Sequence, residues 1–347
     1  MKFNLNDIIR PNILSLAPYQ CARDEFEGVA SIYLDANENP YDNGLNRYPD
    51  PYQAELKSHI GRIKGVDSHQ IFLGNGSDEA IDLLYRIFCR PGRDNYISIS
   101  PSYGMYDVCG KVNDIERREA VLTADFQIDV PQIQNLWDEN TKLIFLCSPN
   151  NPTGNTLNRE DIITLCRSFN GIVVVDEAYI DFATTPSFTN EINHYPNLVV
   201  LQTFSKAWGL AGIRLGMAMA AENIIALFNK VKYPYNVNVL TQQKALDTLI
   251  HQADTVNLQI AEIVKERDKM SERLRSIPHV ERVYPTEANF ILVKIKEASR
   301  CYLQLLDEGT VVRNRSKVIL CDDCLRVTIG TPEENKKFIE QLLAILD

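Results

Sequence analysis

Between about residues 70 and 220 the chain alternates short apolar runs with longer amphipathic stretches. The runs are Ile71-Phe72-Leu73, Tyr96-Ile97-Ser98-Ile99, Leu143-Ile144-Phe145-Leu146-Cys147, Ile172-Val173-Val174-Val175, Leu198-Val199-Val200-Leu201 and Gly216-Met217-Ala218-Met219-Ala220. A segment apolar on both faces suits a strand buried between two helix layers. Strands alternating with helices then predict an α/β fold built on a mainly parallel sheet. One intervening helix is expected over 78–89, where Ile81, Leu84, Tyr85 and Phe88 share a stripe and Pro91-Gly92 ends it.

Past about residue 245 the pattern changes. A long charged helix is expected over 241–276, short strands at 290–293, 311–313 and 325–329, and a last helix from Pro332. That describes a second, smaller α+β domain. The expected division is a large domain over 31–245 and a small one from 246–347, with residues 1–30 packed on the small domain as a lid. A length of 347 residues fits two cores better than one.

Composition narrows the classes. The formal net charge of −10 argues against sequence-independent nucleic-acid binding, which needs clustered Lys and Arg. No apolar run approaches the roughly 20 residues of a membrane span, and the N-terminus lacks a signal-peptide core. The expectation is a cytoplasmic protein with no membrane or nucleic-acid partner. Its eight cysteines, Cys21, Cys89, Cys109, Cys147, Cys166, Cys301, Cys321 and Cys324, are then reduced. Cys321-Asp322-Asp323-Cys324 has metal-site spacing but no second ligand pair nearby, so it reads as a turn between strands, with no metal.

In open α/β sheets chemistry gathers at the carboxyl ends of strands, and four of the strands end in unusual polar residues. Gly74-Asn75-Gly76-Ser77-Asp78 leads through a Gly-rich turn into a helix start, which can cradle a phosphate or simply be N-capped by Ser77 or Asp78. The acid at Asp78 suggests that its backbone rather than its carboxylate faces an anion. Ser148-Pro149-Asn150-Asn151-Pro152-Thr153-Gly154 is a rigid turn that fixes the Asn151 amide as a donor. Asp176 ends a fully buried strand, where a carboxylate needs a cation, a helix to cap or a metal; a protonated pyridine nitrogen is one such cation. Lys206 follows Thr203-Phe204-Ser205 at a buried strand end, where burial lowers an amine's pKa, although any lone Lys can be a surface residue. Arg214 is either a surface charge or a fork for phosphate. Together the four supply what one cofactor needs, pyridoxal phosphate (PLP).

With these strings in place the chain resembles the fold-type I, aspartate-aminotransferase-like enzymes, and within them is similar to the histidinol-phosphate branch. The resemblance runs over residues 18–333. Besides the four strand ends it is carried by Pro18-Tyr19-Gln20, Leu34-Asp35-Ala36-Asn37-Glu38-Asn39-Pro40, Arg47-Tyr48-Pro49, Tyr103-Gly104-Met105-Tyr106 and Leu325-Arg326-Val327-Thr328-Ile329-Gly330. It implies that Lys206 binds PLP covalently and then moves the substrate proton. It implies that Asp176 pairs with the ring nitrogen, that Asn151 and Tyr179 bond the ring hydroxyl oxygen, and that Tyr103 stacks on the ring. Ser77, Asp78, Ser205 and Arg214 would hold the phosphate, with Tyr48 reaching the site of a second subunit of a homodimer. Arg326 and Arg313 would take the acidic groups of the substrates, and Tyr19 would close over them. The implied reaction is transamination of a phosphorylated amine with 2-oxoglutarate in histidine biosynthesis. A threonine-phosphate decarboxylase or an aromatic aminotransferase on the same fold is the alternative. A cofactor-sensing regulator would need a DNA-binding domain for which the chain has no spare segment, and a nucleotide-binding protein would need a GxGxxG or Walker loop, which the sequence lacks.

Overall fold

The computed structural model describes residues 3–19 and 31–346. Gln20 and Cys21, and with them most of the expected lid, lie outside the described residues. A seven-stranded sheet is formed by β1 (Ile71–Asn75), β2 (Asn95–Ser100), β3 (Glu116–Val121), β4 (Thr141–Cys147), β5 (Ile172–Asp176), β6 (Leu198–Thr203) and β7 (Leu215–Ala220), in the order β1-β7-β6-β5-β4-β2-β3. All pairs from β6 through β5, β4 and β2 to β3 are parallel, while β7 runs antiparallel to both β1 and β6. Every apolar run is one of these strands. β3 reads as charged, Glu116-Arg117-Arg118-Glu119, because it lies at the edge and pairs only with β2; charge on an edge strand deters pairing with another chain.

Side chains alternate across the sheet, so the central strands feed two cores. Ile144 and Leu146 of β4 and Val173 and Val175 of β5 enter one. Leu143, Phe145, Ile172 and Val174 enter the other. Each such side chain, fully buried, contributes about 1.5–3 kcal/mol, which is why the middle of each of these strands is apolar on both faces. The helix Gly76–Phe88 lays the expected stripe of Ile81, Leu84, Tyr85 and Phe88 into the second core.

A second, antiparallel sheet has the order β10-β11-β9-β8, with β8 (Val280–Val283), β9 (Phe290–Ile295), β10 (Arg313–Asn314) and β11 (Cys324–Thr328). It packs with the helices Ala298–Asp307 and Pro332–Leu346 over a core of its own.

Three expectations are corrected here. The described part of the N-terminal segment does not pack on the second domain. Ile8, Ile9 and Ile13 bury in the large sheet's core, the Arg10 N–H donates to the Ile87 carbonyl at 3.0 Å, and Arg10 Nη1 donates to the Arg86 carbonyl at 2.9 Å. Three isoleucines find apolar partners on the helix Gly76–Phe88 that a charged domain surface would not offer. The long helix is two, Val239–His251 and Ala253–Arg275, because Gln252 leaves helical geometry at φ −126°, ψ 3°. Lys206 is not buried: it sits past the end of β6 and is exposed where its pocket opens to solvent.

Cys321 lies in the turn leading into β11 and Cys324 begins that strand, its N–H donating to the Cys321 carbonyl at 3.0 Å. Among the described residues no group of His, Cys, Asp and Glu could hold a metal, and no helix is long and apolar enough to cross a membrane.

Candidate active site

β7 reverses direction, so β1, β6, β5, β4 and β2 all end at one edge of the sheet, and the turn into β7 begins there too. One pocket opens along that edge. Its lining includes Gly76, Ser77, Asp78, Tyr103, Asn151, Asp176, Tyr179, Ser205, Lys206 and Arg214. The sheet thus brings together residues more than a hundred positions apart.

Gly76 starts the cradle. Its φ of +73° favours glycine, and a Cβ there would lie 2.8 Å from Arg214 Nη2. The backbone therefore lies close against the guanidinium at the start of the helix Gly76–Phe88, where the first N–H groups lack intrahelical acceptors. The Gly76 N–H is held by the Arg214 carbonyl at 2.7 Å. Arg214 Nη1 lies 3.4 Å from Ser205 Oγ, and its Nη2 3.5 Å from the Asp78 carboxylate. Asp78 also accepts from the Tyr103 hydroxyl at 3.1 Å. Its carboxylate is thus occupied by Arg214 and Tyr103, which leaves its backbone for an anion.

Asp176 is 2% exposed. Its Oδ2 accepts from the Tyr106 hydroxyl at 2.6 Å and its Oδ1 from the Ala178 N–H at 3.1 Å. Burial raises its carboxyl to about 6, against the pull of those two donors and of Lys206. Lys206 Nζ lies 5.7 Å from the centre of the Tyr179 ring. Although its side chain meets solvent, the protein around it and the Arg326 guanidinium lower its amine, with Asp176 opposing. Asn151, 8% exposed, accepts through Oδ1 from Arg326 Nη1, leaving its amide N–H groups for a ligand.

A phosphate cradle, a buried carboxylate, an amide donor and a lowered amine in one pocket fit PLP. Arg326 joins the pocket through Asn151, and Arg313 stands directly opposite Arg326 in the β10–β11 ladder. Tyr19 and Tyr48 are elsewhere. They line a separate groove with Arg47 and Tyr235, where the Tyr48 and Tyr235 rings stack with centroids 4.4 Å apart.

Two residues escaped the sequence reading. Tyr106 looks like core, and is core, yet its hydroxyl reaches Asp176. Arg315 follows Arg313 by two positions. Burial, then Arg326 and Arg313, lower its guanidinium to about 10, and among the described residues neither Arg315 Nε nor Arg326 Nε has a hydrogen-bond partner. The spacing i, i+2 in an extended segment, which puts Arg313 and Arg315 on one face, was the available signal.

Known proteins resemble the chain over nearly its full length. The family model for class I and II aminotransferases matches residues 12–342. The histidinol-phosphate aminotransferase of Parabacteroides distasonis is 54% identical over 339 residues, covering 98% of both chains. That of Flavobacterium johnsoniae is 52% identical over 343 residues, again covering 98% of each. Among solved structures, the histidinol-phosphate aminotransferase from Clostridium acetobutylicum superposes with a TM-score of 0.79 at 27% identity, over 87% of this chain and 91% of that one. The L-threonine-O-3-phosphate decarboxylase from Porphyromonas gingivalis reaches 0.74 at 25% identity, over 87% and 91%. The chain is an enzyme of the class I and II aminotransferase family.

Proposed function

We propose that the chain transfers an amino group from L-histidinol phosphate to 2-oxoglutarate, giving imidazole acetol phosphate and L-glutamate, as a cytoplasmic homodimer. The observation that carries this reading is the Arg326–Asn151 bond, which ties a ladder of arginines to the cofactor pocket. The relatives named above point the same way. PLP supplies an electron sink that acidifies the carbon bearing the amine. Lys206 anchors it and, as a free amine of lowered basicity, moves the proton at that carbon. Asp176 holds the ring nitrogen protonated. Asn151 and Tyr179 address the ring hydroxyl oxygen, and Tyr103, tethered to Asp78, lies against the ring face. Ser205, Arg214 and the N–H groups of Ser77 and Asp78 hold the phosphate. Arg326 and Arg313 receive the acidic groups of both substrates, and Tyr19, which shares the Tyr48 groove, closes over substrates across the homodimer. Residues 31–245 form the cofactor domain and 246–347 the smaller one.

The substrate assignment is tested by arginine removal. A charge-assisted hydrogen bond contributes about 1.5–3 kcal/mol, or roughly ten- to a hundredfold in kcat/KM. Arg326→Ala is expected to lose that factor for both glutamate and histidinol phosphate. Arg313→Ala is expected to lose it mainly for histidinol phosphate, because a dianion accepts two forks where a carboxylate is satisfied by one. Steady-state kinetics that follow glutamate decide it. Equal losses for Arg313→Ala would contradict the assignment, and the absence of any glutamate turnover would favour a decarboxylase.

The assembly is tested by mixing. In the homodimer Tyr48 serves the neighbour's phosphate site, so a Tyr48→Phe chain and a Lys206→Ala chain form a heterodimer with one intact site and one doubly damaged site. Activity after mixing is expected to recover partly relative to the Lys206→Ala parent. An unchanged rate after verified subunit exchange contradicts the shared site.

A further inference from the structure

We propose that Tyr106 is the positioning residue that keeps Asp176 ionised and aimed into the pocket, by donating its hydroxyl proton to Oδ2. This rests on the reading of Asp176 as the partner of the cofactor's ring nitrogen.

The geometry leaves Tyr106 little freedom. Its ring, 1% exposed, stacks on Phe145 with centroids 4.8 Å apart and 18° between planes. Its carbonyl accepts from two other buried hydroxyls, Tyr85 at 2.9 Å and Tyr96 at 3.2 Å. Tyr96 comes that close because its ring lies against Gly110, where a Cβ would sit 2.6 Å from Tyr96 Cε1. Three tyrosines in an apolar core therefore fix where one hydroxyl points. Burial and the neighbouring Asp176 charge hold that hydroxyl far above its ordinary pKa, so at working pH it keeps its proton and can only donate toward the carboxylate.

Asp176 needs this help. A fully buried carboxylate tends to take a proton, and Ala178 offers only one backbone donor at 3.1 Å. A proton kept by Asp176 is one it does not leave on the ring nitrogen. Tyr106 shifts that division toward the nitrogen, where the electron sink requires it.

Tyr106→Phe removes one oxygen and leaves the ring on Phe145; thermal melting verifies the fold. The holoenzyme is loaded with PLP labelled with ¹⁵N in the ring, and the nitrogen resonance is followed from pH 6 to 9. Wild type should stay at the protonated pyridinium position, whereas Tyr106→Phe should move toward neutral pyridine. Its kcat should fall roughly tenfold, the loss of one hydrogen bond to a charge, with KM for glutamate nearly unchanged. Tyr85→Phe loosens the same cluster without touching Asp176, and should lower the melting temperature while leaving the nitrogen at its wild-type position. An unmoved resonance in Tyr106→Phe overturns the proposal, and so does an equal shift in Tyr85→Phe. A wild-type protein with no bound-cofactor resonance fails at the cofactor reading itself, which a wild-type measurement alone reveals.

Discussion

Lys206→Ala is expected to lower turnover by roughly 10⁴-fold, the upper range for removing a positioned general base, while leaving the melting temperature of the apoprotein unchanged. The two halves of this expectation have one cause. Lys206 is exposed in the turn after β6 and belongs to neither core cluster, so the fold does not depend on it. Its amine is nonetheless the lysine that the pocket presents beside Tyr179, Asp176 and Arg326. The cofactor should still be retained through Asp176 and the phosphate cradle, but borohydride should no longer fix it to the protein. In the wild-type protein the reduced label should be found on Lys206. A label on another lysine, or a variant that keeps a tenth of the activity, would refute the assignment.

Asp176→Asn is expected to give a more stable apoprotein and a crippled enzyme. The Asp176 carboxyl is raised from 3.8 to about 6 by burial. A carboxyl raised in the folded state adds stability below its unfolded pKa and loses it as pH rises through the folded value. Above about pH 6 the folded chain therefore carries a buried charge that costs about 2–3 kcal/mol at 1.36 kcal/mol per unit. Asparagine has the same shape and no charge, and can still accept from Tyr106. Apoprotein melting should rise by a few degrees at pH 7.5, with the difference fading toward pH 4. Once cofactor is bound, the substitution removes the ring nitrogen's anionic partner. Breaking a buried pair costs about 3–5 kcal/mol, or roughly 10²–10⁴-fold in turnover. Calorimetry with and without PLP across pH 4–8 tests both signs. An apoprotein destabilised by Asp176→Asn at neutral pH would mean that the carboxylate is a structural contact.

The readable parts of this molecule were those in which burial leaves a composition. A strand covered on both sides must be apolar throughout, so the central strands stand out as runs, and the residue that breaks each run at its carboxyl end draws attention. That is how Asp176 and the turn holding Asn151 are visible. β3 lies at an edge and is charged for that reason. The break at Gln252 comes from backbone angles that no proline or glycine announces. Strand direction leaves no trace in an apolar run, so the reversal of β7 is invisible although it decides where Arg214 lies. Tyr106 is hidden for a different reason. Its ring does what any core tyrosine does, and only the position of one oxygen separates packing from positioning.

The reversal of β7 also sets an order of events during synthesis. β1 is an end strand whose neighbour in the sheet is β7. The ribosome makes β1 at residues 71–75 and β7 at residues 215–220, after β2 to β6. Until then the nascent chain carries a strand with both rows of backbone N–H and C=O groups unclaimed, attached to a helix whose apolar stripe has only part of its core to cover it. Unpaired strands and uncovered stripes are what chaperones bind and what aggregates recruit. The first strand of the sheet to leave the ribosome is thus the last to be paired, and cofactor uptake waits on the same closure, because Arg214 arrives immediately before it.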